Sequence, residues 1–126
     1  MATERTIRIT AGPVQADAAL NDSPTATKVW DALPIEAHGN TWGDEIYFSI
    51  PVDAKQEKDA CDLVAVGELG YWAPGTAFCI FFGRTPASTD DRPRAASPVN
   101  IIGKITGDAT VFRKVSSGTR VKLERA

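Results

Sequence analysis

Histidine is almost missing from this chain: His38 is the single one among 126 residues, alongside two cysteines and one methionine. With no second histidine and the turn-like Gly39 beside it, His38 has no nucleophile-base-acid order to belong to and is read as a solvent-facing side chain without a role. Cys61 and Cys79 show no CxxC spacing, and two thiols with one imidazole fall short of the roughly four ligands of a structural zinc site. Both are read as reduced core thiols of a cytosolic chain, where a disulfide is disfavoured and no signal peptide is recognised. No metal and no cofactor are expected. The glycines follow neither GxGxxG nor GxxxxGK[ST], which leaves a nucleotide cradle without support. No apolar run approaches the ~20 residues of a membrane helix, so a soluble, cytoplasmic protein is expected. Charge excess is missing as well: 14 basic residues less 16 acidic give −2, with a pI near 5.3, and neither nucleic acid nor an anionic membrane is expected as a partner.

What is present is an ordinary globular composition, 43% hydrophobic, at a length that one core fills; residues 1–126 are therefore read as a single domain. The sign of charge is uneven. Residues 100–126 hold six basic side chains against Asp108 and Glu124, but these alternate with apolar ones and read as solvated strand faces.

The chain is organised around residues 67–86, which gather much of its aromatic content into a strand-turn-strand unit. Pro74-Gly75 predicts a type II turn, with proline presetting a negative φ and glycine taking the positive one. From Ala77 to Phe82 both alternating faces are apolar, so that strand needs cover on each side. Upstream, Arg5–Thr10 and Val14–Leu20 predict a hairpin about Gly12-Pro13. Ser23 as N-cap, Pro24 at the first helical position and Ala26, Val29, Trp30 and Leu33 at helical spacing predict one helix, ended by Pro34 and anchored by Trp30. Residues 34–42 predict a strand, and Ile46, Phe48 and Ile50 share one face of the next, with Glu45, Tyr47 and Ser49 on the other. A loop over 53–59, a strand over 61–66, a fifteen-residue loop over 84–98 and a strand over 99–105 follow. The loop is expected to be the most mobile internal segment, as a lid or simply as a mobile connection. Residues 110–115 read as extended or mixed, and Val121 and Leu123 as a terminal strand. About eight short strands and one capping helix predict a mainly β protein, a closed or nearly closed β-barrel, with a β-sandwich as the alternative.

Three ordered motifs carry a resemblance: Trp42-Gly43-Asp44-Glu45-Ile46-Tyr47-Phe48, Gly70-Tyr71-Trp72-Ala73-Pro74-Gly75 and Phe81-Phe82-Gly83-Arg84-Thr85-Pro86, with Asn100-Ile101-Ile102-Gly103 and Gly107-Asp108 after them. They resemble the small prokaryotic cyclophilin-like domain family, over nearly the whole chain. The resemblance implies a cyclophilin-type β-barrel closed at one end by a helix. Peptidyl-prolyl isomerases of the cyclophilin type carry an arginine in a Phe-His-Arg segment; this chain has no such segment, and no catalytic residue is carried over. Arg84 or Arg94 would have to supply the guanidinium.

Asp44 and Glu45, adjacent on a strand, point to opposite faces and do not share a proton; Asp44 reads as turn chemistry. The rings of Trp42, Tyr47, Tyr71, Trp72 and Phe82 suit either a barrel rim or a core, and both readings stay open at this point. The expectation drawn from these features is a peptide or small-ligand binding module, monomeric or weakly dimeric, with a rim pocket lined by Glu45, Tyr47, Tyr71, Phe82 and Arg84. An atypical peptidyl-prolyl isomerase is the alternative.

Overall fold

Ile7 and Ile9 alternate with polar neighbours, and the period does what it predicts. In the computed structural model, which describes residues 5–126, Arg5–Ala11 (β1) and Val14–Leu20 (β2) pair antiparallel about Gly12, whose φ is +58°. The helix, Pro24–Ala32 (α1), begins where its cap directs: the Ser23 hydroxyl accepts from the Ala26 N–H at 3.2 Å, filling one of the donors a helix start leaves open. Thr25, Ala26 and Val29 are its buried residues. Trp30, the expected anchor, is only half-buried, and the Arg125 guanidinium lies 4.4 Å from its ring centre.

The expected strand over 34–42 is two pieces, Ile35–His38 (β3) and Asn40–Thr41 (β4), followed by Glu45–Ser49 (β5). Cys61–Leu63 (β6) stops short of Val66, which is 52% exposed. Glu68–Trp72 (β7) and Ala77–Phe81 (β8) form the central hairpin, but its connection is a 3-10 turn over Ala73–Gly75 with the positive φ at Thr76. Gly75 serves another purpose: a Cβ there would stand 2.8 Å from the Trp72 ring, so the glycine makes room for the indole.

Arg94–Ile105 (β9) runs twelve residues and absorbs the last third, residues 94–98, of the expected 84–98 loop. Pro98 lies inside this strand although proline cannot donate to a ladder. It is tolerated because the β6–β9 register is irregular between Cys61↔Val99 and Leu63↔Arg94, where the proline's missing donor breaks no ladder. A 3-10 segment, Ala109–Lys114, is capped by Asp108, which accepts from the Thr110 N–H at 3.0 Å, and Arg120–Arg125 (β10) completes the chain. Residues 110–115 are thus a short helical turn where extended or mixed structure was expected.

Among the described residues the sheet has ten strands where about eight were expected, in the order β3-β10-β1-β2-β9-β7-β8-β5-β4, with β6 on β9. The ladder does not close, yet its two end strands are consecutive in the chain, with only Gly39 between them. The Gly39 N–H donates to the Thr119 carbonyl at 2.8 Å. A Cβ on it would meet Ile46 at 3.0 Å and Val121 at 3.2 Å, so the sheet curls hard enough to bring β5 and β10 to either side of one glycine.

The concave face holds the main core, including Ile7, Ile9, Phe48, Leu69, Phe78 and Phe112. Residues 50–60 run across one end of it, held by Asn100. That side chain, 1% exposed, accepts from the Glu57 N–H at 2.7 Å and donates to the Lys55 carbonyl at 2.9 Å and the Thr25 hydroxyl at 3.0 Å. The outer side of β8 receives the cover its apolar run required: Ala77, Cys79 and Phe81 pack with Val64, Ala95 and Val99 in a second, smaller core under β6 and the first half of β9.

Candidate functional site

The second core is where β5 meets a layer it does not pair with. Register on β8 sets Glu45 opposite Phe81, Tyr47 opposite Cys79 and Ser49 opposite Ala77, so these side chains leave the sheet on the side away from Phe48. Just before β5 the chain makes a tight turn at Gly43, φ +62°, where a Cβ would lie 2.9 Å from the Arg84 carbonyl oxygen. Gly83 answers it, since a Cβ there would stand 2.2 Å from an Asp44 carboxylate oxygen. The Asp44 N–H donates to the Arg84 carbonyl at 2.8 Å, and the Phe82 N–H to the Asp44 carbonyl at 2.9 Å. The Trp42-Gly43-Asp44-Glu45 and Phe82-Gly83-Arg84 motifs are therefore two halves of one close backbone contact, which fixes where Trp42 and Glu45 project. Asp44 is held on the surface by Arg113, Nε to Oδ2 at 3.2 Å.

A cavity of about 260 Å³ opens beside this contact. Trp42, Tyr47 and Trp72 supply aromatic walls, Ala95, Ala96 and Val99 of β9 the apolar remainder, and Glu45 and Cys79 its polar groups. The Trp72 indole N–H donates to the Ser97 hydroxyl at 2.6 Å, fixing the ring against β9. Glu45 is only 5% exposed, and its Oε1 has no hydrogen-bond partner. Burial pushes its carboxyl up to about 7, opposed in part by the neighbouring Cys79 thiol. Cys79 is driven well above the usual thiol range by its own burial and by Glu45, so it stays protonated and is not poised as a nucleophile. Both Cys61 and Cys79 are free thiols. Among the described residues no group of three or more His, Cys, Asp or Glu is placed to hold a metal ion, and no helix is long and apolar enough to cross a membrane.

Of the five residues expected to line a pocket, the structure brings Glu45 and Tyr47 together and places the others elsewhere. Tyr71 is fully buried in the main core, its hydroxyl donating to the Val52 carbonyl at 2.6 Å and accepting from the Ala54 N–H at 3.2 Å. Phe82 packs on Phe112 with ring centres 6.1 Å apart, again on the core side. Arg84 is exposed and contributes its backbone carbonyl to the Gly43 contact, not its side chain to the cavity. The aromatic residue that replaces Tyr71 is its neighbour Trp72, pointing the other way from the same strand. Ala95 and Ala96 carried no signal as small apolar residues inside an expected loop, and Val99 stood at the start of an expected strand with nothing to mark it as a wall residue.

A family model described as Cyclophilin-like matches residues 5–124. The chain belongs to the cyclophilin-like family. The solution structure of a hypothetical protein from Archaeoglobus fulgidus is similar to this cyclophilin-like chain at 39% identity and a TM-score of 0.83, over 100% of this chain and 98% of that one. No curated protein matches the sequence. The cavity of this cyclophilin-like domain has no arginine in its wall: Arg84 lies outside it, and Arg94 Nη1 is drawn to Asp62 Oδ2 at 2.8 Å.

Proposed function

We propose that this cyclophilin-like domain is a binding module whose cavity between β5, β8 and β9 seats one side-chain-sized group of a small ligand or peptide. The observation that carries the reading is the Glu45 carboxyl, buried in an otherwise apolar and aromatic wall with an oxygen that no protein donor serves. A buried acceptor without a partner is costly, and a ligand donor relieves that cost. Aromatic rings supply contact area and one polar group fixes orientation, the usual division of labour in a small-ligand site.

The reading is tested by following the amide resonances of ¹⁵N-labelled protein while adding a Xaa-Pro tetrapeptide and a panel of low-mass amines, alcohols and acids. Binding is expected to move resonances around Glu45–Tyr47, Trp72, Cys79 and Ala95–Val99. Ala96→Trp, which fills the cavity from an exposed position, is expected to abolish the shifts while the rest of the spectrum stays native. Shifts that survive Ala96→Trp, or that map to another surface, would remove the cavity from the function. A protease-coupled assay on Xaa-Pro peptides checks the isomerase alternative: acceleration lost in Arg84→Ala would replace a binding role by a catalytic one.

A further inference from the structure

We propose that the group this cavity selects is an organic ammonium, an alkyl- or arylalkylamine in its charged form, with the ammonium on Glu45 and the carbon body between Trp42, Tyr47 and Trp72. The proposal rests on the cavity being a binding site and goes on to name the ligand's chemistry.

Three features of the wall converge on a cation. Its only carboxyl, Glu45, is 5% exposed, and its Oε1 has no hydrogen-bond partner although the Cys79 thiol stands beside the carboxyl, so the site holds an acceptor that no protein donor reaches. An ammonium brings three donors and a charge, and a charge-assisted hydrogen bond is the strong kind. The wall gathers two indoles and a phenol in one small space, the ring types whose faces attract ammonium groups. The wall also holds nothing to repel a cation or to hold an anion: Cys79 from β8 and Tyr47 from β5 are the other titratable groups facing Glu45, while β7 gives Trp72 and β9 gives Ala95, Ala96 and Val99. The arginine of β9, Arg94, stands outside the wall: its Nη1 is paired with Asp62 and its buried Nε has no partner. A carboxylate ligand would find no positive partner here and would face Glu45.

A cation and a neutral ligand make opposite demands on the Glu45 proton, which makes the idea easy to overturn. An ammonium binds the ionised carboxylate and expels the proton; a carbonyl or alcohol acceptor needs the proton kept, so that the carboxyl donates. The experiment is calorimetric titration of the whole chain with benzylammonium, its neutral counterpart benzyl alcohol and the anion phenylacetate, repeated on Glu45→Gln. Benzylammonium is expected to bind about tenfold or more tighter than benzyl alcohol at about pH 8. Its affinity is expected to rise about tenfold between about pH 6 and about pH 8, as a carboxyl with its pKa at about 7 ionises, with protons released into the buffer. Glu45→Gln should lose the ammonium and keep the alcohol. If benzyl alcohol binds the native chain as tightly, with affinity falling as pH rises, Glu45 is a neutral donor: the cation is overturned while the cavity stands as a binding site. Benzylammonium binding that Glu45→Gln leaves unchanged overturns it equally. If none of the three probes binds, the inference and the binding role of the cavity fall together.

Discussion

Glu45 lowers the stability of the fold whenever it is ionised. Its pKa is raised by burial to about 7, so the folded chain holds the proton more tightly than the unfolded chain does. Stability from that proton is fully present below the ordinary carboxylate range and is lost as pH rises through about 7. Glu45→Gln removes the titration and keeps the shape. The variant is expected to be more stable than the native chain at about pH 8, by on the order of 3 kcal/mol, and to converge on it near pH 4. Denaturant unfolding at the two pH values reads the difference; a gap that does not narrow in acid would mean the carboxyl titrates normally. Two residues along, parity separates Tyr47 from Phe48. Tyr47 is 36% exposed in the cavity wall, while Phe48 is 1% exposed and stacks on Phe78 with ring centres 5.3 Å apart. Phe48→Ala is expected to cost ~3–5 kcal/mol and Tyr47→Ala less than about 1 kcal/mol, with ligand binding weakened only in the latter. Equal losses would make Tyr47 a structural residue.

Among the elements, the contact between Gly43-Asp44 and Phe82-Gly83 decides where the site residues point. Gly83→Ala would drive a methyl into the Asp44 side chain, with its Cβ 2.8 Å from the added carbon, and is expected to destabilise by ~1–3 kcal/mol. Asp44→Gly in the same chain should recover much of that, since the clash is with a side chain; thermal unfolding of the singles and the double gives the coupling. Elements with a local chemical signal were legible in the sequence. The Ser23 cap and Pro24 start, the Gly12 hairpin and the two-faced apolar run of β8 each follow from residues that act within a few positions. The first half of β9 was not, because Arg94-Ala95-Ala96-Ser97-Pro98 has neither alternation nor β-branched bulk, and what makes it a strand is distant pairing with β6. The site inherits that division. Glu45 and Tyr47 were found by period alone, whereas choosing Trp72 over Tyr71 required knowing which face of β7 the second core covers, and the roles of Ala95 and Ala96 depend on a stretch of strand the local sequence does not announce.

At the scale of the whole molecule, the barrel expected from strand count appears as a curled sheet whose ends share one bent strand through Gly39, and edge protection comes from the chain's continuity where a closing ladder would otherwise give it. The outer layer of β6 and β9 turns one side of that sheet into a second interior, and the cavity lies at its margin, walled by β5, β7 and β8 on one side and β9 on the other. The seam on the opposite side has a different implication. β1 and β10 are neighbours, Ile7 lies opposite Arg125, and the Ala126 N–H donates to the Thr6 carbonyl at 3.0 Å. The order in which the chain is written is therefore separable from the architecture: a circular permutant that joins residue 126 to residue 5 through a short flexible linker and opens between Asp90 and Asp91, both exposed, is expected to fold to the same ¹⁵N correlation spectrum away from the new ends. Such a permutant would carry its termini in the loop leading into β9, the strand that supplies Ala95, Ala96 and Val99 to the cavity wall.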